Sequence, residues 1–182
     1  MPIPPLPKLI SERLKLRIPL EKDVKELFFM RSDPQVNQFI QQRPKPKDHA
    51  EAAAFIADRT QDIANQKLYY WTITLKGQDQ LIGSISLWNF SKDYSTAELG
   101  YDLHPDWQGK GIMQEAVNEV LKFGFTVVPF QTIEAFTHRN NEASKRLLLR
   151  NNFQLQANRK DEQVPANEIY SLSRKSWSSK AQ

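Results

Sequence analysis

Apolar residues along the chain follow two spacings, which predict strands and helices in turn. Apolar positions at every second residue predict strands, and apolar positions three or four residues apart predict helices. The predicted strands span residues 13–18, 69–75, 81–90, 97–103, 132–137, 153–157 and 168–172. The predicted helices span residues 21–30, 48–65, 113–125 and 141–151. Three consecutive strands joined by polar turns form an antiparallel meander, and a strand–helix–strand crossover follows them.

Local signals mark where the first two helices end and begin. Asp33-Pro34 ends the first helix, because the residue before a proline avoids helical geometry. Asp48 and Glu51 form a capping pair at the start of the second helix. No repeat or linker divides the chain, so the order of elements predicts an α+β fold in a single domain, residues 1–182, with its core at about 10–177.

The composition narrows the class of protein. Of 182 residues, 40% are hydrophobic and 25% are charged, as in soluble globular proteins. The first nine residues contain four prolines where a secretory signal needs an apolar run, and no stretch approaches the roughly 20 apolar residues of a membrane helix. The chain lacks cysteine, which suits a reducing compartment. We therefore expect a cytoplasmic protein that does not bind a membrane.

The charge and the histidines exclude two further classes of site. The formal net charge of +4 comes from mixed signs without a dense basic block, so nucleic acid binding is not expected. The histidines, His49, His104 and His138, lack the paired spacing of metal ligands, and no metal site is expected.

The most informative segment is the strand–loop–helix from Ala97 to Ala116, whose loop contains Gly109 and Gly111. Glycines let the backbone approach a bound group closely, and the free amides of a helix N-terminus attract phosphate. An ordinary surface turn would explain the glycines alone. A nucleotide P-loop fits less well, because the Lys-Ser/Thr pair that must follow the second glycine is missing.

Two motifs resemble those of the GNAT superfamily of N-acetyltransferases. The residues from Gln108 to Met113 are similar to its pyrophosphate loop, Gln/Arg-x-x-Gly-x-Gly/Ala, with methionine where a small residue is usual. Asn141 and Ser144, at the start of a helix that ends before Phe153, are similar to its Asn-x-x-Ser and Gly-Phe elements. Asn152 replaces the glycine, and asparagine also adopts the left-handed conformation that ends helices.

The resemblance implies the fold and the donor of the acetyl group. It implies a mixed, mostly antiparallel sheet of about seven strands with about four helices and a V-shaped splay at an acetyl-CoA site. By resemblance, the pyrophosphate binds to backbone amides of Gln108, Gly109, Lys110, Gly111, Ile112 and Met113. The backbone of Tyr101 and Leu103 pairs with the pantetheine arm, and Asn141 and Ser144 also contact the cofactor. A metal is not implied.

Proton transfer needs a base for the amine and a donor for the thiolate that leaves. Glu98 lies on the strand before the loop, where related enzymes place a carboxylate base, although it could equally be an exposed strand residue. Asp102 shares its face and is a weaker candidate. The tyrosine that many members use for the thiolate is replaced by Leu148. In ribosomal-protein N-terminal acetyltransferases of the RimJ/RimL type, the serine of Asn-x-x-Ser is proposed for that role, which Ser144 inherits unless it merely caps the helix.

The chain resembles the RimJ/RimL type most closely, through residues 11–17, 70–71 and 169–172. The first hypothesis is direct transfer of acetyl from acetyl-CoA to the N-terminal α-amine of a protein such as a ribosomal protein. The second is acetylation of a small amine: a polyamine, an amino acid or an aminoglycoside. The third is a module that binds acetyl-CoA without turnover. Family members occur as monomers and homodimers, and both states remain open.

Overall fold

Eight strands form one sheet within residues 4–40, 43–128 and 130–178, which the computed structural model describes. In chain order they are β1 (Leu9–Ile10), β2 (Leu14–Arg17), β3 (Tyr69–Leu75), β4 (Gly83–Trp88), β5 (Thr96–Leu103), β6 (Thr132–His138), β7 (Gln154–Leu155) and β8 (Asn167–Ser173). Across the sheet the order is β1-β2-β3-β4-β5-β6-β8-β7. Every neighbouring pair is antiparallel except β5 and β6, which are parallel.

The helices cover both faces of this sheet. They are α1 (Val24–Ser32), α2 (His49–Ala64), α3 (Ile112–Thr126), α4 (Glu142–Arg150) and α5 (Arg174–Ser178). Tyr69 and Trp71 of β3 contact Phe123 of α3, whereas Tyr70 between them contacts Phe55 of α2. Because successive strand residues point to opposite faces, α3 and α2 lie on opposite faces.

Each face has its own apolar core. The larger core lies between the sheet and α3 and includes the fully buried Trp71, Ile85 and Val120. The smaller one joins α1 to α2 and contains Leu27 and Ile56. Burying each such side chain contributes about 1.5–3 kcal/mol to the free energy of folding. The apolar faces of the predicted strands and helices therefore supply the driving force for folding.

The predicted α+β class and the order of its elements are confirmed, with small differences at the ends. β1 and α5 were not predicted, because two or five residues do not show a clear period. The predicted first helix begins with a 3₁₀ turn, Glu21–Asp23, before α1. The strand predicted at 153–157 shortens to β7. Within the described residues, no helix is both long and apolar enough to cross a membrane.

The sheet divides into two parts that meet only briefly. β5 and β6 pair over Thr96–Glu98 and Thr132–Glu134, and both strands then continue beyond that pairing to Leu103 and His138. β5 stays paired with β4, and β6 with β8, along these extensions. The result is a gap between residues 99–103 and 135–138, which we call the β5–β6 opening.

Candidate active site

The backbone of β5 presents unpaired groups to the β5–β6 opening. The His104 amide donates to the Ile82 carbonyl at 2.8 Å, which fixes the direction of the ladder between β5 and β4. Because these directions alternate along an antiparallel strand, even-numbered residues of β5 bond to β4 and odd-numbered ones face away. The backbone groups of Tyr101 and Leu103 therefore face the opening, where an extended ligand could pair with them. The Leu103 carbonyl already accepts a hydrogen bond from Gln108 Nε2 at 3.0 Å.

A loop of left-handed glycines leads from β5 to the start of α3. Gly109 and Gly111 have φ of 72° and 75°, and Gly111 is the N-cap of α3. A side chain is strained at these angles, so glycine is the residue that lets the loop turn here. The first amides of α3 have no partner within the helix and carry the positive end of its dipole. Loop and helix together can hold a diphosphate through backbone amides.

Arg13 fastens this loop to the edge of the sheet. Its Nη1 donates to the Lys110 carbonyl at 2.9 Å, and its Nε pairs with Glu115 of α3 at 2.6 Å. Ser11 donates to the same carboxylate at 2.6 Å. The pair of Arg13 with Glu115 was not predicted from the sequence, because the two positions are 102 residues apart in the chain.

The side chains of Ile112 and Met113 are buried in the core, so only their backbone amides are available to a ligand. On the other side of the opening, Asn141 Oδ1 accepts a hydrogen bond from the Ser144 amide at 3.1 Å and caps α4. The Ser144 hydroxyl lies 2.7 Å from the Tyr101 hydroxyl, across the opening. Leu148, one turn after Ser144 on α4, is 1% exposed and packs in the core.

Glu98 lies where β5 and β6 separate, on the face of the sheet opposite α3. Burial raises the pKa of its carboxyl to about 7, and the negative charges of Asp161 and Glu134 add to the effect. A hydrogen bond from Asn89 Nδ2 at 3.3 Å offsets part of this shift. A carboxylate with this pKa can accept a proton near neutral pH, as a general base must.

Asp102, four residues after Glu98 on the same face of β5, is in a different environment. Its Oδ2 lies 2.5 Å from Arg43 Nη2, and its Oδ1 accepts hydrogen bonds from the Ser84 amide and hydroxyl at 3.0 and 2.7 Å. These contacts occupy both oxygens, so the geometry favours Glu98 as the base. Arg43 lies in the segment between α1 and α2, and its ion pair ties that segment to β5.

Aromatic side chains lie beside Glu98 and at the end of β6. Trp88, directly across from Glu98 on β4, is 43% exposed. Phe39, from the segment between α1 and α2, packs against His138 at the end of β6 with ring centroids 5.4 Å apart. The ion pair between Arg159 and Glu134 lies on the same face of the sheet, opposite α3. Throughout the described ranges, no group of three acidic, histidine or cysteine side chains is placed to hold a metal ion.

Comparisons with known proteins agree with this geometry. A family model described as an acetyltransferase (GNAT) domain matches residues 13–154. The chain is 31% identical over 146 residues to the uncharacterized N-acetyltransferase p20 of Bacillus licheniformis, which covers 80% of this chain and 82% of that protein. It is 27% identical over 148 residues to the uncharacterized N-acetyltransferase YoaA of Bacillus subtilis, with 81% and 83% covered. A solved structure of RimL, a ribosomal L7/L12 alpha-N-protein acetyltransferase in complex with coenzyme A, superposes with a TM-score of 0.80 at 17% identity, covering 93% of this chain and 99% of that one.

Proposed function

The chain belongs to the GNAT acetyltransferase family, and we propose that the amine it acetylates is the N-terminal α-amine of a protein such as a ribosomal protein. It is an N-acetyltransferase whose co-substrate is acetyl-CoA. The RimL structure, whose fold this chain shares, belongs to an alpha-N-protein acetyltransferase, so the fold can receive a protein N-terminus.

The residues around the β5–β6 opening fit the donor. Backbone groups of Tyr101 and the Leu103 amide would pair with the pantetheine arm, and the amides from Gly109 to Met113 would hold the pyrophosphate. The loop amides can bind the ligand only if other contacts hold the loop in place. Arg13 provides such a contact through its hydrogen bond to the Lys110 carbonyl. Asn141, which caps α4, would also contact the pantetheine arm.

The pKa of Glu98 favours an α-amine over a lysine side chain as the acceptor. An α-amine has a pKa of about 7.7–8.0 and a lysine side chain about 10.4. The pKa of Glu98 is about 7, which is roughly one pK unit below that of an α-amine and more than three below that of lysine. Since each unit costs about 1.4 kcal/mol, Glu98 can deprotonate an α-amine far more readily than lysine.

The charges near Glu98 also suit a cationic amine. Glu98, Glu134 and Asp161 bring three carboxyl groups into electrostatic contact, and Arg159 pairs with Glu134. A protonated amine that approaches this group is attracted before it gives up its proton.

The chain's residues then act in order. Glu98 takes a proton from the ammonium, directly or through a water molecule, and the amine nitrogen attacks the thioester carbonyl. As the carbon–sulfur bond breaks, its electron pair stays on sulfur, and the Ser144 hydroxyl donates a hydrogen bond to that sulfur. The acetylated nitrogen then gives its second proton to water, and the acetyl group never binds to the enzyme.

A panel of acceptors tests this proposal through the release of CoA at pH 7.5. The panel contains lysine-free peptides with a free α-amine, peptides with a blocked α-amine and one lysine, and small amines: a polyamine, an amino acid and an aminoglycoside. We expect kcat/KM for free α-amine peptides to exceed that for blocked lysine peptides by about 10²-fold, since two pK units separate the amines. Turnover confined to small amines or to blocked peptides would contradict the proposal, and CoA release without any amine sets the baseline.

A further inference from the structure

The hydroxyls of Tyr101 and Ser144 meet across the β5–β6 opening at 2.7 Å. Tyr101 is on β5 and Ser144 is in the first turn of α4, which follows β6. We propose that Tyr101 is a positioning residue that donates its proton to the hydrogen bond with Ser144 and so turns the Ser144 proton toward the sulfur that leaves. The inference rests on the role proposed above for Ser144.

The direction of the hydrogen bond between Tyr101 and Ser144 determines whether Ser144 has a proton available for the sulfur. A serine hydroxyl offers one proton and two lone pairs, and a phenol offers one proton. If the Tyr101 phenol donates, the Ser144 oxygen accepts and its own proton is available to another atom. If Ser144 donated to Tyr101 instead, it would have no proton for the sulfur. The pair thus has one direction that helps the reaction and one that does not.

The surroundings of both side chains hold them in place for this role. Asn141 Oδ1 accepts a hydrogen bond from the Ser144 amide, which fixes the backbone that carries the hydroxyl. Burial raises the pKa of the Tyr101 phenol to about 12, against a smaller opposing effect of its bond to Ser144. The phenol therefore keeps its proton throughout the working range of pH and can always donate.

The same pKa makes transfer of the Tyr101 proton to the departing thiolate unfavourable. A CoA thiol has a pKa of about 8.5, so moving the phenol proton to the thiolate would be uphill by roughly 3.5 pK units. In the proposed step the carbon–sulfur bond breaks and its electron pair goes to sulfur. Both O–H bonds remain intact, and the thiolate takes its proton later from water.

The test is a double-mutant cycle in kcat with Tyr101→Phe, Ser144→Ala and the double variant. Any amine that the enzyme accepts serves, so a wrong assignment of the acceptor would not affect the result. Tyr101→Phe should lower kcat by about three- to tenfold, the usual effect of one neutral hydrogen bond, with the KM for acetyl-CoA changed less than twofold. In the Ser144→Ala background the same change should have no effect on kcat, because the oxygen that Tyr101 orients is gone.

Tyr69→Phe is the matched control. Its hydroxyl, on β3 two strands away from β5, donates to the Pro4 carbonyl at 2.8 Å, and burial raises the pKa of this phenol too. It should lower the melting temperature and leave kcat unchanged. The proposal is overturned if Tyr101→Phe leaves kcat at the wild-type value, if it lowers kcat equally with and without Ser144, or if Ser144→Ala itself has no effect on kcat.

Discussion

At the scale of single residues, two carboxylates on the same face of β5 have different surroundings and therefore different chemical properties. Glu98 is half-buried with other acidic groups nearby, and its pKa rises to about 7. Asp102 is buried more deeply but has Arg43 and Ser84 as partners. A carboxylate held by such contacts stabilises structure, whereas one that lacks a cation as partner can exchange protons with a substrate.

The raised pKa of Glu98 predicts a pH-dependent effect on stability. An unfolded glutamate has a pKa near 4.3, so Glu98 stabilises the fold fully below that pH and loses this contribution as the pH rises through about 7. Glu98→Gln should therefore raise the free energy of unfolding at pH 8 by about 1–2 kcal/mol, a value discounted for partial exposure, and change it little at pH 4.5. Urea unfolding at the two pH values measures this. Glu162→Gln, at an exposed site, is the control, and an equal effect of Glu98→Gln at both pH values would refute the assignment.

At the scale of elements, the loop before α3 owes its shape to contacts on the side away from the opening. Gly109 and Gly111 turn the chain, and the pair of Arg13 with Glu115 holds the loop against β2. The amides at the start of α3 are thereby fixed in the folded protein. A ligand that binds fixed amides pays less conformational entropy than one that must order the loop.

Gly111→Asp should abolish the thermal stabilisation that acetyl-CoA gives. The wild-type protein should gain about 2.7 kcal/mol at a ligand concentration a hundredfold above Kd. The aspartate places bulk and negative charge at the N-cap of α3. Gly77→Asp is a close control, since Gly77 has φ of 76° against 75° for Gly111 and lies in a turn with open space around it. Both variants lose similar backbone stability, but only Gly77→Asp should keep the shift with acetyl-CoA. A normal shift in Gly111→Asp would place the site elsewhere.

Elements with a clear period and clear caps could be predicted from the sequence. Asp48 caps α2 as predicted, because its carboxylate accepts a hydrogen bond from the Glu51 amide at 2.9 Å. In a full capping box the Glu51 carboxylate would accept from the Asp48 amide, but here it accepts from the Lys47 amide. Asn152 has φ of 64°, which confirms the left-handed conformation predicted for it. Both features are local, so a few neighbouring residues determine them.

Contacts between distant segments could not be predicted in the same way. Motifs indicated Glu98, the glycine loop and Asn141 with Ser144, because each motif is contiguous. The bond from Tyr101 to Ser144 joins positions 43 residues apart, and the ion pair of Arg43 with Asp102 depends on how the segment after α1 folds over the sheet. The shift in the pKa of Glu98 likewise follows from burial, which one strand's pattern does not reveal.

At the scale of the whole molecule, the division of the sheet brings two substrates to one point. The β5–β6 opening leads from the α3 loop toward Glu98, and the face opposite α3 holds the rings of Phe39 and His138 and the carboxyl groups of Glu134 and Asp161. A donor lying in the opening and an acceptor on that face would meet where β5 and β6 separate. We propose that Glu98 takes the amine's proton there.

The pH dependence of kcat/KM for wild-type protein and Glu98→Gln, with a free α-amine peptide, tests this claim most directly. In wild-type protein Glu98 must be deprotonated to accept the ammonium proton, so the logarithm of kcat/KM should rise with a slope of one and level off near pH 7, the pKa of Glu98. In Glu98→Gln the neutral amine alone reacts, so the rise should continue to about pH 8, the pKa of the amine, and the rate at pH 7 should be about 10²-fold lower with acetyl-CoA binding unchanged. A variant that levels off at the same pH as wild type, with a rate within twofold of wild type at pH 7, would show that Glu98 does not act as the base.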